Sequence, residues 1–122
     1  MTNYQKHTEL EVWKQARDLA SYIYQITASF PVTEQYGIVS QMRRCAVSIP
    51  SNIAEGSGRQ HEKETLHFLS ISRGSLYELE TQIYISSDLN FISEDICENC
   101  LNKIENLGKL INGFIRYYKS ER

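Results

Sequence analysis

The apolar residues Val39, Met42, Ala46, Ile49, Ile53 and Gly56 form a stripe that runs through Pro50 without losing phase. Steps of three and four residues place all six on one side of an α-helix. A proline inside a helix removes one backbone hydrogen bond and crowds the preceding turn, at roughly 3 kcal/mol. A break near Ile49 is the simple outcome, but it would scatter the stripe. The unbroken phase predicts instead one kinked helix, in which the Ser48 or Ser51 hydroxyl helps to satisfy the freed carbonyl. Thr33 with Glu34 marks its start, and Gly56 and Gly58 mark its stop.

Three further stretches carry the same period. In the first, Thr8 and Glu11 form a capping-box signal, Val12, Ala16, Leu19, Ile23, Ile26 and Phe30 share one face, and Pro31 ends the run. Trp13, Ala20, Tyr24 and Thr27 flank that face, so this helix is expected to bury more than one side. A third helix is predicted from about His61 to Leu89, with Leu69, Ser72, Leu76, Leu79, Ile83 and Ser86 in heptad phase. Its serines make two small layers that invite close approach by a neighbour, and Gly74 adds a third small position. Its start signal is either Ser57 with Gln60 or His61 with Glu64.

Ser93 is the cap expected for a fourth helix, with Glu94 and Asp95 in its first turn and Lys119 near its end, as the helix dipole favours. Its stripe is Cys97, Cys100, Ile104, Leu107, Ile111, Phe114 and Tyr118, thickened by Leu101 and Ile115. No segment alternates apolar and polar residues between turns, so no strand is predicted. The expectation is an all-α chain, an antiparallel up-and-down four-helix bundle with a Pro-kinked second helix and a single domain over residues 1–122.

A chain of 122 residues can bury such a core without metals or disulfides. Its net charge of -2 argues against whole-surface attraction to nucleic acid. Up to Arg73 eight Lys/Arg face seven Asp/Glu, and beyond it five face eight, so the acid excess lies in the C-terminal part. Three cysteines, Cys45, Cys97 and Cys100, cannot all pair within one chain, and nothing near the start resembles a signal peptide. A reducing cytoplasm is the expected location. No apolar run nears the ~20 residues that span a bilayer, so no membrane role is expected.

Catalytic residues are hard to assemble from this sequence. It holds no nucleophile elbow, phosphate loop, dinucleotide fingerprint or His-Glu-x-x-His motif. Cys97-x-x-Cys100 is half of a metal motif, but His61, His67 and Cys45 lack the matching spacing, and both cysteines lie on an apolar stripe where they serve as core. Glu78 and Glu80 diverge by about 200° on their helix and do not converge on one atom. No cofactor, no metal and no catalytic residue is therefore expected. Arg43 and Arg44 point about 100° apart. They are either solvated or join Arg59, Lys63 and Arg73 in a patch for phosphate or an acidic partner, with Glu55, Glu62 and Glu64 near enough to neutralise it.

The segments LEVWKQARDLA (10 to 20), FPVTEQYGIVSQMRRCAVSIPSNIAEGSGR (30 to 59) and FLSISRGSLYELETQ (68 to 82) together resemble a family of bacterial four-helix-bundle proteins encoded in intervening sequences of 23S ribosomal RNA genes. A more distant similarity is to the accessory variability protein of diversity-generating retroelements, a barrel-like pentamer with a basic surface. The resemblance implies a non-enzymatic homo-oligomer, a pentamer, acting as a scaffold through protein or ribonucleoprotein contacts. The alternative it raises is an RNA-binding module whose arginine patch repeats around a ring. The family pattern covers Arg43, Arg44, Pro50, Ser51, Asn52, Glu55, Gly56, Gly58, Arg59, Arg73, Gly74, Ser75, Glu78 and Glu80. Of these, Pro50, Ser51, Asn52, Glu55, Gly56, Gly58, Glu78 and Glu80 are expected to serve structure or assembly. Two departures stand out: His61 occupies a position where members commonly place serine, and the chain is acidic where the pentameric relative is basic.

Overall fold

A computed structural model describes residues 6–120. It has four α-helices, α1 (Glu11–Thr27), α2 (Ile38–Ser57), α3 (Glu62–Asp88) and α4 (Glu94–Ser120), and no strand among the described residues. Cross-helix bonds run with rising number on one element and falling number on the next: Arg43 to Thr27, Ser72 to Ile49, Thr65 to Gly56, Arg73 to Asn112 and Asn99 to Tyr22. Neighbours are therefore antiparallel. They close in the order α1, α2, α3, α4, with no backbone approach within 8 Å joining α1 to α3 or α2 to α4. This is the up-and-down four-helix bundle that the four stripes predict.

Every residue of the α1 stripe is buried, and so is every residue of the α3 stripe, its two serines included. A fully buried Leu or Ile such as Leu19, Ile23, Leu76 or Ile83 contributes about 1.5–3 kcal/mol. In α4 the stripe holds from Cys97 to Ile111, after which Ile115 is buried and Phe114 only half so. A straight α-helix drifts ~20° per heptad, which moves the inward position from a seven-residue to an eleven-residue step by the last turns.

The helix starts differ from expectation in two of four cases. Thr8 lies in a short 3-10 turn (His7–Glu9), and α1 begins at Glu11 after an extended Leu10 with no side-chain cap. Packing of Leu10 against the core fixes the chain there and overrides the Thr8 signal. Thr33 and Glu34 likewise form a single 3-10 turn (Val32–Glu34), and α2 starts only at Ile38. Val32, Thr33, Gln35 and Tyr36 are all exposed, so no apolar contact holds a helix to the core before Ile38 and Val39. The other two starts agree: α3 follows His61, without a side-chain cap, and α4 follows Ser93, whose Oγ accepts from the Ile96 N–H at 3.2 Å.

Through Pro50, α2 is continuous, with Val39, Met42, Ala46, Ile49, Ile53 and Gly56 all buried. The serines do not act as expected. Ser48 Oγ sits 2.7 Å from the Cys45 carbonyl and 2.7 Å from Ser75 Oγ, while Ser51 is exposed, so neither bonds the carbonyl of Ala46 that the proline frees. At the end of α2, Gly58 has φ -91, outside the left-handed region, and the helix stops through the Arg59 N–H bond to Gly56 O at 3.2 Å. Gly56 acts by size instead: a Cβ there would lie 3.1 Å from Phe68 Cβ and 3.2 Å from Thr65 O, so α2 and α3 meet backbone to backbone. Gly74 has no neighbour within 4 Å of such a Cβ and takes no part in close packing.

Candidate interaction surface

The signature residues sort by which helix they address. Asn52 Nδ2 donates to Ser48 O at 2.8 Å along α2. Ser48 meets Ser75 of α3, whose carbonyl also accepts from Cys45 Sγ at 3.0 Å. Gly56 O accepts from Thr65 Oγ1, and Ile49 O from Ser72 Oγ, each at 2.9 Å. Four side chains thus cross the α2–α3 seam to reach a carbonyl or a hydroxyl near Pro50. Ser48 was expected at the carbonyl that Pro50 frees and Ser75 entered only through the family pattern; nothing in one sequence pairs positions 27 apart.

The five cations do not share one set of partners. Arg43 turns back to α1, with Nε donating to Thr27 Oγ1 at 2.9 Å, Nη2 to Tyr24 O at 3.3 Å, and its guanidinium 4.6 Å from the Tyr24 ring centre. It neutralises the negative end of that helix. Arg59 pairs with Glu55 at 2.8 Å and Glu64 at 3.9 Å and lies over the Phe68 ring. Arg73 points to α4, donating to Asn112 Oδ1 at 3.0 Å. Lys63 is exposed at the start of α3, and Arg44 is exposed on α2; neither has a hydrogen-bond or ion-pair partner among the described residues. Thr27, read from sequence as a flank of the apolar stripe, is the anchor that sequence alone could not assign to Arg43.

Glu78 and Glu80 part company as their angular separation requires. Glu78 lines a cleft of about 310 Å³ between α2 and α3 with Gln41, Arg44, Cys45 and Ser48. Glu80 lines a cleft of about 470 Å³ between α3 and α4, with Tyr77, Tyr84, Glu105 and Lys109. Seven-residue spacing sets Ile71, Glu78 and Ile85 in one exposed line on α3 beside the first of these clefts.

Burial, and then the charge of Glu78, pushes the Cys45 thiol up to about 12, and burial followed by Cys97 does the same for Cys100. Both therefore stay protonated at neutral pH, where a thiol is a weak nucleophile and a weak metal ligand. All three cysteines are buried and free. Among the described residues, no group of three His, Cys, Asp or Glu side chains is arranged to hold a metal ion, and no helix is long and apolar enough to cross a membrane.

Fold and surface together define a helical bundle whose signature residues knit two helices together and line a shallow polar cleft. Residues 8–113 match the profile of the 23S rRNA-intervening sequence protein family, and the chain belongs to that family. It is also similar to a crystal structure of a protein of unknown function from the S23 ribosomal protein family of Bacteroides thetaiotaomicron VPI-5482. The two share 23% identity and a TM-score of 0.75 over 85% of this chain and 97% of the other. That likeness is one of fold. No curated protein matches the sequence.

Proposed function

We propose that this chain is a non-enzymatic scaffold that assembles with further copies of itself through the outer α2–α3 face. The observation that carries the reading is the cleft flanked by Arg44 and Glu78, two opposite charges that form no ion pair among the described residues. A surface that carries one free cation and one free anion is complementary to another copy of itself. The exposed Ile71 and Ile85 on either side of Glu78 add apolar area that a neighbour would cover. The pentamer expected from the family resemblance is the assembly this reading favours.

Light scattering with size-exclusion chromatography tests it. The expected result is an oligomer that Arg44→Glu or Glu78→Arg disperses and the double exchange restores; a monomer at every concentration sinks the reading. The RNA-binding alternative draws on Arg44 and Lys63, the two cations of the five left without an acidic or polar partner among the described residues. A ring would repeat them on each subunit and multiply their effect. It requires RNA binding that weakens steeply with salt and is lost in an Arg44→Ala, Lys63→Ala variant. Absence of binding at low salt rejects it.

A further inference from the structure

The connection between α1 and α2 and the connection between α3 and α4 lie at the same end of the antiparallel bundle. A contact between Phe30 and Phe91, ring centres 5.3 Å apart, ties them together. The same two connections present apolar side chains to water. Val32 is 89% exposed, Tyr36 96% and Leu89 54%. None of the three supports the core, so their exposure is not a by-product of packing. Of the two rings, Phe30 is buried and Phe91 half-buried, and both pack with the core.

Apart from Arg43, which is held by Thr27 and Tyr24, the charge at this end is negative. The sequence has no lysine, arginine or histidine from Ala28 to Met42, nor from Gly74 to Asn102. Within those stretches Glu34, Asp88, Glu94, Asp95 and Glu98 lie toward the end, and none forms an ion pair among the described residues. Glu94 and Asp95 suit the positive start of α4. Asp88 does not share that excuse: it is the last residue of α3, at the negative end of the helix, with no basic residue in that turn. The nearest cations along the chain are Arg43, which is bound to Tyr24 and Thr27, and Lys103, which is bound to Asp18.

From this we infer that the Val32–Tyr36–Leu89 end is a docking surface for a basic segment of a partner protein, one that interleaves apolar residues with lysine or arginine. The apolar trio covers the partner's apolar side chains and the stems of its long cations. The Tyr36 ring offers its face to a guanidinium, and the unpaired carboxylates surround the charge. Other occupants fit less well. Phosphate backbones and anionic lipids meet a field of their own sign. A second copy would bring either the same acidic end or the opposite end, where Glu9, Glu11, Glu55, Glu62 and Glu64 offset the cations. This surface is separate from the α2–α3 face.

The test uses the full chain and short labelled peptides alternating arginine with leucine, with a glutamate-leucine counterpart as control. Fluorescence anisotropy should show binding of the basic peptide that weakens as salt rises. Val32→Ser with Tyr36→Ser should lower affinity at least about tenfold, about what losing one or two well-buried anchors removes. Glu34→Lys with Asp88→Lys should abolish binding, a second route should the first variant melt early. Amide resonances of residues 30–37 and 88–95 should shift on titration, and Ile71→Ser with Ile85→Ser should leave affinity unchanged. Equal binding of the acidic peptide overturns the proposal. So do wild-type affinity in the Val32, Tyr36 variant, resonance shifts confined to the α2–α3 face, or loss of self-association in that variant.

Discussion

The α2–α3 and α1–α4 seams are built from similar apolar stripes yet are joined by different means. At α2–α3, short side chains reach across to the opposite backbone: Ser72 to Ile49 O, Thr65 to Gly56 O, and Cys45 to Ser75 O. At α1–α4, long side chains meet at the rim, with Asn99 Nδ2 donating to Tyr22 Oη at 2.9 Å and Lys103 Nζ 3.5 Å from Asp18. The first seam brings backbones together at Gly56, whereas the second leaves an apolar cleft of about 350 Å³ lined by Leu10, Val12, Leu110, Phe114 and Tyr117. Small residues let a helix pair fix its register through main-chain acceptors; large ones leave the register to packing and the groove open. The signature around Pro50 is thus a seam before it is anything else.

The largest test of that contrast is Gly56→Val. Its branched side chain would drive into Phe68 Cβ and the Thr65 backbone, so a loss of about 3 kcal/mol or more is expected in urea unfolding. Gly74→Val, on the same helix pair but with open space around it, should cost nothing and gain about a few tenths of a kcal/mol, the difference in intrinsic helix preference. Equal losses would show that the close approach at Gly56 is not what holds the seam.

A pH series probes the buried thiols behind both seams. Cys45 and Cys100 are raised in the fold from about 9 to about 12, so the folded state keeps protons that the unfolded chain gives up. Their contribution is fully present below pH 9 and is lost as pH rises toward 12. The urea midpoint should fall across that window, and fall less in a Cys45→Ala, Cys100→Ala variant. Parallel curves for the two proteins would remove the thiols from the account.

Pro50→Ala should leave helical content intact by circular dichroism and raise stability by about 1–2 kcal/mol. The new N–H can reach the Ala46 carbonyl, and part of the roughly 3 kcal/mol cost of an internal proline is recovered. Cooperative loss of the fold would mean that the proline shapes α2 in a way the seam depends on. A drop in oligomer mass with the fold intact would place the role of Pro50 in assembly.

Much of this was legible because burial follows period. Leu69, Ser72, Leu76, Leu79, Ile83 and Ser86 each face inward as spacing alone requires, and the α2 stripe passes Pro50 because Ile49 and Ile53 both have core to enter. What spacing cannot carry is competition between a local signal and a distant contact. Thr8 and Thr33 have capping chemistry, but the core holds Leu10 and does not hold Val32 or Tyr36, so the helices start where packing begins. The arginines show the same limit. Arg43 and Arg44 are identical in composition and adjacent in sequence, yet one is bound to α1 and the other is free, because 100° of rotation sets one against Thr27 and the other against water. The partners of Arg73 and Ser48, 39 and 27 residues away, have no local trace at all.

The smallest effect sharpens the contrast most, because it compares a buried crossing to the backbone with a pair at the exposed rim. Ser72→Ala removes a hydroxyl that is fully buried and bonded to Ile49 O, and should cost about 1 kcal/mol, the usual net worth of such a bond. Lys103→Ala removes a longer side chain, with its Asp18 pair and its place 5.1 Å over the Tyr22 ring, but Asp18 is 71% exposed and water replaces the lost charge. Its cost should stay under about 0.5 kcal/mol and shrink further with salt. If Lys103→Ala proved the more damaging of the two, rim contacts rather than crossings to the backbone would be what sets the register of this bundle.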